Sequence, residues 1–374
     1  MDNAKILMMM RLPEPPITGG EIYYIKLRDH LKNHFSSVEN ISWQMKPYKG
    51  PITYLMESIL MNFTLLRHIR GMDSKTIILE DMDDSQDLFI FNAITRAIRR
   101  LLRKEIYIVP VIQLRESDLI KNRLLRSLKL LEESIFFNSS DGIVVNSRFT
   151  CESVKGTLWR TVDMVIAYPG LNVSGLGKKI PARSPGQVLH LLFVGYITSR
   201  KGVDVLIRAT EILIKERGMK NTIIHIVGNT EIDKNYFQEI KNYSQNAAID
   251  QHIIFHGWVD NREIEELYLK ADIFVFPSLM EGFGMVLAEA ASYGLPIVTT
   301  DAGAIPYLIK DGVNGILVPP GDAKSLALAI EHLAASPDLR EEFSQANRKL
   351  AEKFQWERSL SKITAFLQKL ADLA

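Results

Sequence analysis

The chain is poor in cysteine, in net charge and in long apolar runs. Of its 374 residues only Cys151 is a cysteine. That excludes an intramolecular disulfide framework and a cysteine-ligated metal cluster, and it suits a reducing, cytoplasmic setting. The 45 Lys and Arg residues almost cancel the 44 Asp and Glu residues, leaving +1. The electrostatic footprint of a general nucleic-acid binder is missing. No window reaches the ~18 uninterrupted apolar residues of a membrane span. The short apolar run Ile6–Met10, followed by Arg11 and a proline cluster, is not expected to be a signal peptide. No internal repeat is apparent.

What is present is an ordinary globular balance, 47% hydrophobic and 24% charged. At roughly 100–200 residues per domain, the length predicts two domains. The near-neutral total hides an asymmetry. Residues 1–186 hold 26 Lys and Arg against 20 Asp and Glu, a net +6, and residues 187–374 hold 19 against 24, a net −5.

In the second half, short β-rich runs alternate with helical patterns. The runs are Leu189–Val194, Thr222–Val227, Ile253–Gly257, Ile273–Phe276, Ile297–Thr300 and Ile316–Val318. Apolar runs without alternation fit strands buried on both faces of a parallel sheet. Val203, Leu206, Ile207, Thr210 and Ile214 recur at helical spacing before a stop at Gly218. The first half reads the same way more loosely, with strands predicted at Lys5–Met10, Thr76–Leu79, Ile106–Ile112, Gly142–Val145 and Met164–Ala167. Residues 173–187, rich in Gly, Pro, Ser and Lys, read as an exposed linker. The expected organisation is therefore an α/β domain over 1–172, a linker, and a doubly wound α/β domain over 188–355. Two such domains imply a cleft, because open α/β sheets bind ligands at the carboxyl ends of their strands.

One stretch carries chemistry most clearly: Phe276-Pro277-Ser278-Leu279-Met280-Glu281-Gly282-Phe283-Gly284-Met285, continuing to Glu289. A strand ends at Phe276 and Pro277 breaks it. Gly282 and Gly284 lead into a helix from Met285 to Tyr293, which Gly294-Leu295-Pro296 terminates. Glycines at a helix start let backbone N–H groups approach a phosphate, and the helix dipole favours its charge. Glu289 sits in the first turns of the helix, placed to accept hydrogen bonds from sugar hydroxyls. The plainer alternative is a tight strand-to-helix turn with two solvated carboxylates, and a bare Gly-x-Gly does not separate the two.

The whole stretch resembles the donor-binding signature of the GT-B retaining glycosyltransferases of family 4, whose E-x7-E motif is matched by Glu281 and Glu289. Phe193-Val194-Gly195 and Ser199-Arg200-Lys201-Gly202 resemble that family's first C-domain strand, loop and helix. Ile226-Val227-Gly228 resembles its second strand and glycine turn. The resemblance implies a GT-B fold: two facing Rossmann-like doubly wound domains with an interdomain cleft, the last helix, 356–374, rejoining the first domain. It implies a hexosyltransferase that moves a sugar from a UDP- or GDP-sugar to a glycan, lipid-linked or small-molecule acceptor, with neither metal nor other cofactor. Arg200, Lys201 and Glu281 would be catalytic. Gly20, Gly195, Gly228, Gly282, Phe283, Gly284, Met285 and Glu289 would bind the donor. The alternative is a weak or inactive GT-B chain that binds nucleotide-sugar as a partner subunit.

Several positions depart from the pattern. Gln113 stands where the resemblance expects a histidine; its amide can contact a sugar or acceptor but takes no proton. Tyr196 replaces an arginine, and Tyr307 a glutamate. Asp81-Met82-Asp83-Asp84 contains an Asp-x-Asp and reads as a solvated strand-end loop, with acceptor binding as the lesser reading. His30, His34 and His68 fall in helical patterns and read as surface or packing residues. Arg96–Lys104 and Lys121–Lys129 alternate basic residues with Ile and Leu. They read either as core-packed helices with solvated basic faces or as amphipathic helices in peripheral contact with an anionic membrane.

Overall fold

The computed structural model describes residues 2–10, 19–41, 75–81, 105–171 and 188–372. Thr18, His68, Asp83, Asp84, the Arg96–Lys104 segment and the 173–187 linker lie outside the described residues. The chain divides into two compact units, Met1–Gly170 with Trp356–Ala374, and Leu171–Gln355.

The first unit is built on a six-stranded parallel sheet. Its strands are β1 (Asp2–Met9), β2 (Phe35–Asn40), β3 (Thr76–Asp81), β4 (Ile106–Ile112), β5 (Gly142–Val145) and β6 (Asp163–Ile166), in the order β2-β1-β3-β4-β5-β6. Successive side chains leave a strand on opposite faces. On one face Ile6, Met8, Ile77, Leu79, Val109, Val111 and Val144 pack with Tyr23, Tyr24 and Leu27 of the helix Gly19–Leu31. The same cluster takes Leu360, Ile363 and Leu367 from the helix Trp356–Asp372. On the other, Ile112, Ile143 and Val145 pack with Phe136, Phe137, Cys151 and Val154.

β2 has no counterpart among the strands predicted from sequence. It is the edge strand, Phe-Ser-Ser-Val-Glu-Asn, buried at Phe35 and open along much of the rest, so it lacks the apolar run of its neighbours. β3 runs two residues further than its apolar run, through the buried Glu80 and Asp81. Asp81 is therefore not in a solvated loop; it accepts a hydrogen bond from Tyr24 Oη at 2.6 Å.

The second unit holds β7 (Leu189–Val194), β8 (Thr222–Val227), β9 (Ile253–Gly257), β10 (Ile273–Phe276), β11 (Ile297–Thr300) and β12 (Gly315–Val318). All pair in parallel, in the order β12-β11-β10-β7-β8-β9. The chain winds outward from β7 to β9, then crosses back to β10 and winds the other way. The two directions part between β7 and β10, where an open α/β sheet leaves a crevice at its carboxyl edge. Helices Val203–Glu211, Lys234–Asn246, Asn261–Lys270, Met285–Ser292 and Ala323–Ala335 connect the strands.

Candidate functional site

The site is assembled where β7 and β10 end side by side. After β7 the chain makes one 3-10 turn, Ser199–Lys201, and enters the helix Val203–Glu211 through Gly202. After β10, Pro277 stops the strand and residues 278–284 lead to the helix Met285–Ser292. Hydrogen bonds join the two loops. Leu279 N donates to the Arg200 carbonyl at 2.8 Å, and Arg200 Nη1 donates to the Met280 carbonyl at 2.9 Å. Thr300 Oγ1, on β11, donates to the Ser278 carbonyl at 2.5 Å.

Three charged side chains meet there. Lys201 Nζ donates to Glu281 Oε1. Arg200 Nη1 lies 3.6 Å from the same oxygen, and Ser278 Oγ sits 3.1 Å from it. Glu281 is only 6% exposed, so it is not a solvated turn carboxylate. Burial pushes the Lys201 amine below its ordinary range, and the Glu281 charge opposes that shift. The ammonium also lies 5.1 Å from the centre of the Phe276 ring. Arg200 keeps its side chain 36% exposed. The result is a cationic spot, one charge buried and one accessible, fixed by a buried carboxylate.

The glycines shape the same edge. A side chain at Gly228, after β8, would fall on the Gly195 carbonyl after β7, so these two loops touch only because residue 228 has no Cβ. Gly303 has a left-handed φ of 59°, and a Cβ there would strike the Glu281 carbonyl. That carbonyl already accepts from Ala304 N at 2.8 Å. Gly284 opens the helix Met285–Ser292 with φ 88°. Gly282 is buried beside it. The Phe283 ring packs edge-on against the Phe354 ring, with centroids 5.5 Å apart. Met285 is half-buried at the first helical position.

Glu289 lies one turn into that helix, half-buried, and accepts from Tyr268 Oη at 3.2 Å. Burial pushes its carboxyl up to about 7, against the smaller opposing effect of the tyrosine. Ser278, Gly303 and Tyr268 were not singled out from sequence. Ser278 stands within the signature stretch and was legible by proximity. Tyr268 sits on a different helix, Asn261–Lys270, and nothing in its local sequence marks it.

The remaining candidates belong to the first unit. Gly20 is in the first turn of the helix Gly19–Leu31. Gln113 follows β4, half-buried, and its carbonyl accepts from Thr150 Oγ1 at 3.1 Å. The loop after it is braced by a buried cluster. Arg115 Nη2 meets Asp118 Oδ1 at 2.7 Å, and Glu133 accepts from Ser117 N at 3.0 Å and Ser117 Oγ at 2.5 Å. Among the described residues no group of three or more His, Cys, Asp or Glu side chains is arranged to hold a metal ion. No described helix is long and apolar enough to cross a membrane.

Two parallel α/β units in one chain define the GT-B fold class, and solved structures agree. Sucrose-phosphate synthase from Thermosynechococcus elongatus superposes with a TM-score of 0.79 over 100% of both chains at 16% identity. Anabaena HepE, in complex with UDP and glucose, gives 0.72 over 97% of this chain and 99% of its own, also at 16% identity. Residues 179–350 match the family model described as Glycosyl transferases group 1. An uncharacterised glycosyltransferase of Methanocaldococcus jannaschii is 30% identical over 48% of this chain and 45% of its own length. The D-inositol 3-phosphate glycosyltransferase of Saccharomonospora viridis is 27% identical over 62% of this chain and 56% of its own. The chain thus spans about half the length of the curated relatives it matches.

Proposed function

We propose that the chain is a retaining glycosyltransferase of family 4 that moves a hexosyl group from a UDP- or GDP-sugar to a glycan, lipid-linked or small-molecule acceptor without a metal ion. The observation that carries this reading is the position of Arg200, Lys201 and Glu281 at the switch point between β7 and β10. A departing nucleoside diphosphate gathers negative charge, and preorganised cations and N–H groups stabilise it most where water is thin. Arg200 supplies the accessible guanidinium and Lys201 the buried charge. The N–H groups that open the helix Met285–Ser292 add the favourable end of its dipole. The contacts of Glu281 with Lys201, Ser278 and Arg200 all fall on Oε1, so Oε2 is the acceptor for a hydroxyl of the transferred sugar. Glu289 takes the ribose or a sugar hydroxyl. The acceptor then attacks on the face the diphosphate leaves, with retention. The UDP and glucose bound by the Anabaena neighbour support a UDP-sugar donor.

A second reading, a nucleotide-sugar-binding partner with little turnover, is favoured by Gln113, whose amide neither accepts a proton nor carries charge. A panel of UDP-, GDP- and ADP-sugars separates the two readings, assayed for binding, hydrolysis and transfer to lipid and glycan extracts with and without chelator. Sugar release or transfer that resists the chelator supports the enzyme. Nucleotide binding without release or transfer from any donor supports the partner.

A further inference from the structure

Three histidines cross the second sheet in a row. His190 is on β7, His225 on β8 and His256 on β9, separated by 35 and 31 residues in the chain. The parallel register sets Ile223 opposite His190 and Ile254 opposite His225, so each histidine lies two residues beyond the one on the strand before. Side chains two apart on a strand share a face, and long ones reach their diagonal neighbours. His190 Nδ1 lies 2.9 Å from His225 Nε2, and His225 Nδ1 lies 3.0 Å from His256 Nε2. The ring centres are 5.2 Å apart in both pairs and the planes 26° and 32° from parallel, so each N–H can point along its gap. The middle ring is 3% exposed, and its nitrogens depend on the protein for partners.

The hydrogens such a row can hold are limited. A neutral imidazole carries one N–H and an imidazolium two. Each N···N gap has room for one hydrogen only, since two would face each other. The two gaps, with His190 Nε2 and His256 Nδ1, therefore hold at most four hydrogens, and three neutral rings already bring three. The row takes up one proton with both bonds intact, and a second proton forces a gap open. In the unfolded chain each ring titrates alone near about pH 6.5. Acid therefore favours the unfolded chain by up to two protons. The surrounding charges do not lift this limit. On the helix Asn261–Lys270, Glu263 Oε1 lies 3.6 Å from His256 Nδ1 and favours the first proton at that end. Lys270 follows on the same helical face, Arg262 pairs with Glu266 at 3.2 Å, and Tyr268 bonds Glu289. Ahead of β10, Asp272 Oδ2 accepts from His190 N at 2.8 Å, and ahead of β9, His252 Nδ1 lies 3.0 Å from the Thr222 carbonyl. A charge outside the gaps shifts where the proton rests, not how many the gaps admit.

We propose that His190, His225 and His256 form an acid-labile clasp across β7, β8 and β9, which stores one shared proton and opens on the second. The clasp ties together the strands that lead into Gly195 and Gly228, and it acts whether or not the chain transfers sugar. The test is hydrogen–deuterium exchange of the β8 amides in the full chain, read as protection relative to the intrinsic rate. Between about pH 6 and pH 5 the parent should lose about fiftyfold more protection than His225→Leu, in which the outer rings titrate alone. His256→Gln keeps one gap and should lose about sevenfold more than His225→Leu. Groups elsewhere in the chain titrate alike in all three proteins and cancel. Histidine ring resonances give a measure that needs no variant: in the folded parent the three rings should titrate together and take up one proton in all. The proposal is overturned if the parent and His225→Leu lose protection equally, or if all three rings of the folded parent reach full charge. Should His225→Leu not fold, the parent against His256→Gln decides, with about sevenfold expected between them and equality overturning the clasp.

Discussion

Lys201 and Glu281, eighty residues apart, form a nearly buried ion pair at the carboxyl edge of one sheet, with side chains 12% and 8% exposed. Each is the other's main electrostatic partner. Removing the amine alone leaves a buried carboxylate with only Ser278 and the part-exposed Arg200 against it, which costs more than the net worth of the pair. Lys201→Met should lower the unfolding free energy by about 3 kcal/mol. Lys201→Met combined with Glu281→Gln should recover most of it while donor turnover stays lost. Urea unfolding and a donor-hydrolysis assay on the same proteins check this. Equal stability of the single and double variants would refute the coupling.

If Glu289 binds the donor as proposed, it should make both stability and donor binding depend on pH, in opposite directions. Its carboxyl is raised from 4.5 to about 7 in the folded protein by burial. The folded state therefore holds the proton more tightly than the unfolded chain. The associated stability is fully present below about pH 4.5 and is lost as pH rises through about 7. The difference amounts to about 3 kcal/mol. Glu289→Gln should flatten that decline in urea unfolding between pH 4 and pH 8 (roughly the window set by the two pKa values). Donor affinity should rise through the same window, because the ionised carboxylate is the better acceptor of hydroxyls. Titration calorimetry across pH would show no such rise in the Gln variant.

Gly303 and Gly218 separate backbone strain from steric overlap. Both have left-handed φ, 59° and 69°. A Cβ at Gly218 meets nothing within 4 Å, whereas one at Gly303 meets the Glu281 carbonyl. Gly218→Ala should cost about 1 kcal/mol, the strain alone. Gly303→Ala should cost at least twice that and should weaken donor binding by displacing Glu281. Thermal melts of the two variants, with donor titrations, decide it. Equal losses would mean that the loop yields freely.

Cys151 is buried 6% exposed against the sheet of the first unit, and burial pushes its thiol up. It should resist a thiol reagent in the native protein and react only as that unit opens. The labelling rate should then follow the unfolding equilibrium of the first unit through a urea series. Rapid labelling without denaturant would place the thiol at the surface.

Eleven of the twelve strands among the described residues were legible as apolar runs or β-rich patterns, since parallel strands buried on both faces show themselves in composition. The exception, β2, is an edge strand whose open side admits Ser, Glu and Asn. The end of β3 was misread for the converse reason. Glu80 and Asp81 look like loop residues until burial and Tyr24 place them inside the fold. Of the candidate site, Arg200, Lys201 and Glu281 were each legible, but their contact was not.

By itself the sequence determined the alternation of strand and helix, the glycine-bordered helix entry at Gly284 and the match of residues 179–350 to the group 1 glycosyl transferase model. Those features depend on residues close in the chain, where spacing and backbone freedom act directly. Only the tertiary structure decided that β7 and β10 are neighbours, and hence that Lys201 meets Glu281 and Gly303 admits its carbonyl. It also decided that half of the Arg123–Ser139 helix turns its leucines to solvent. Helical spacing defines an apolar face, but what that face meets depends on segments distant in the chain.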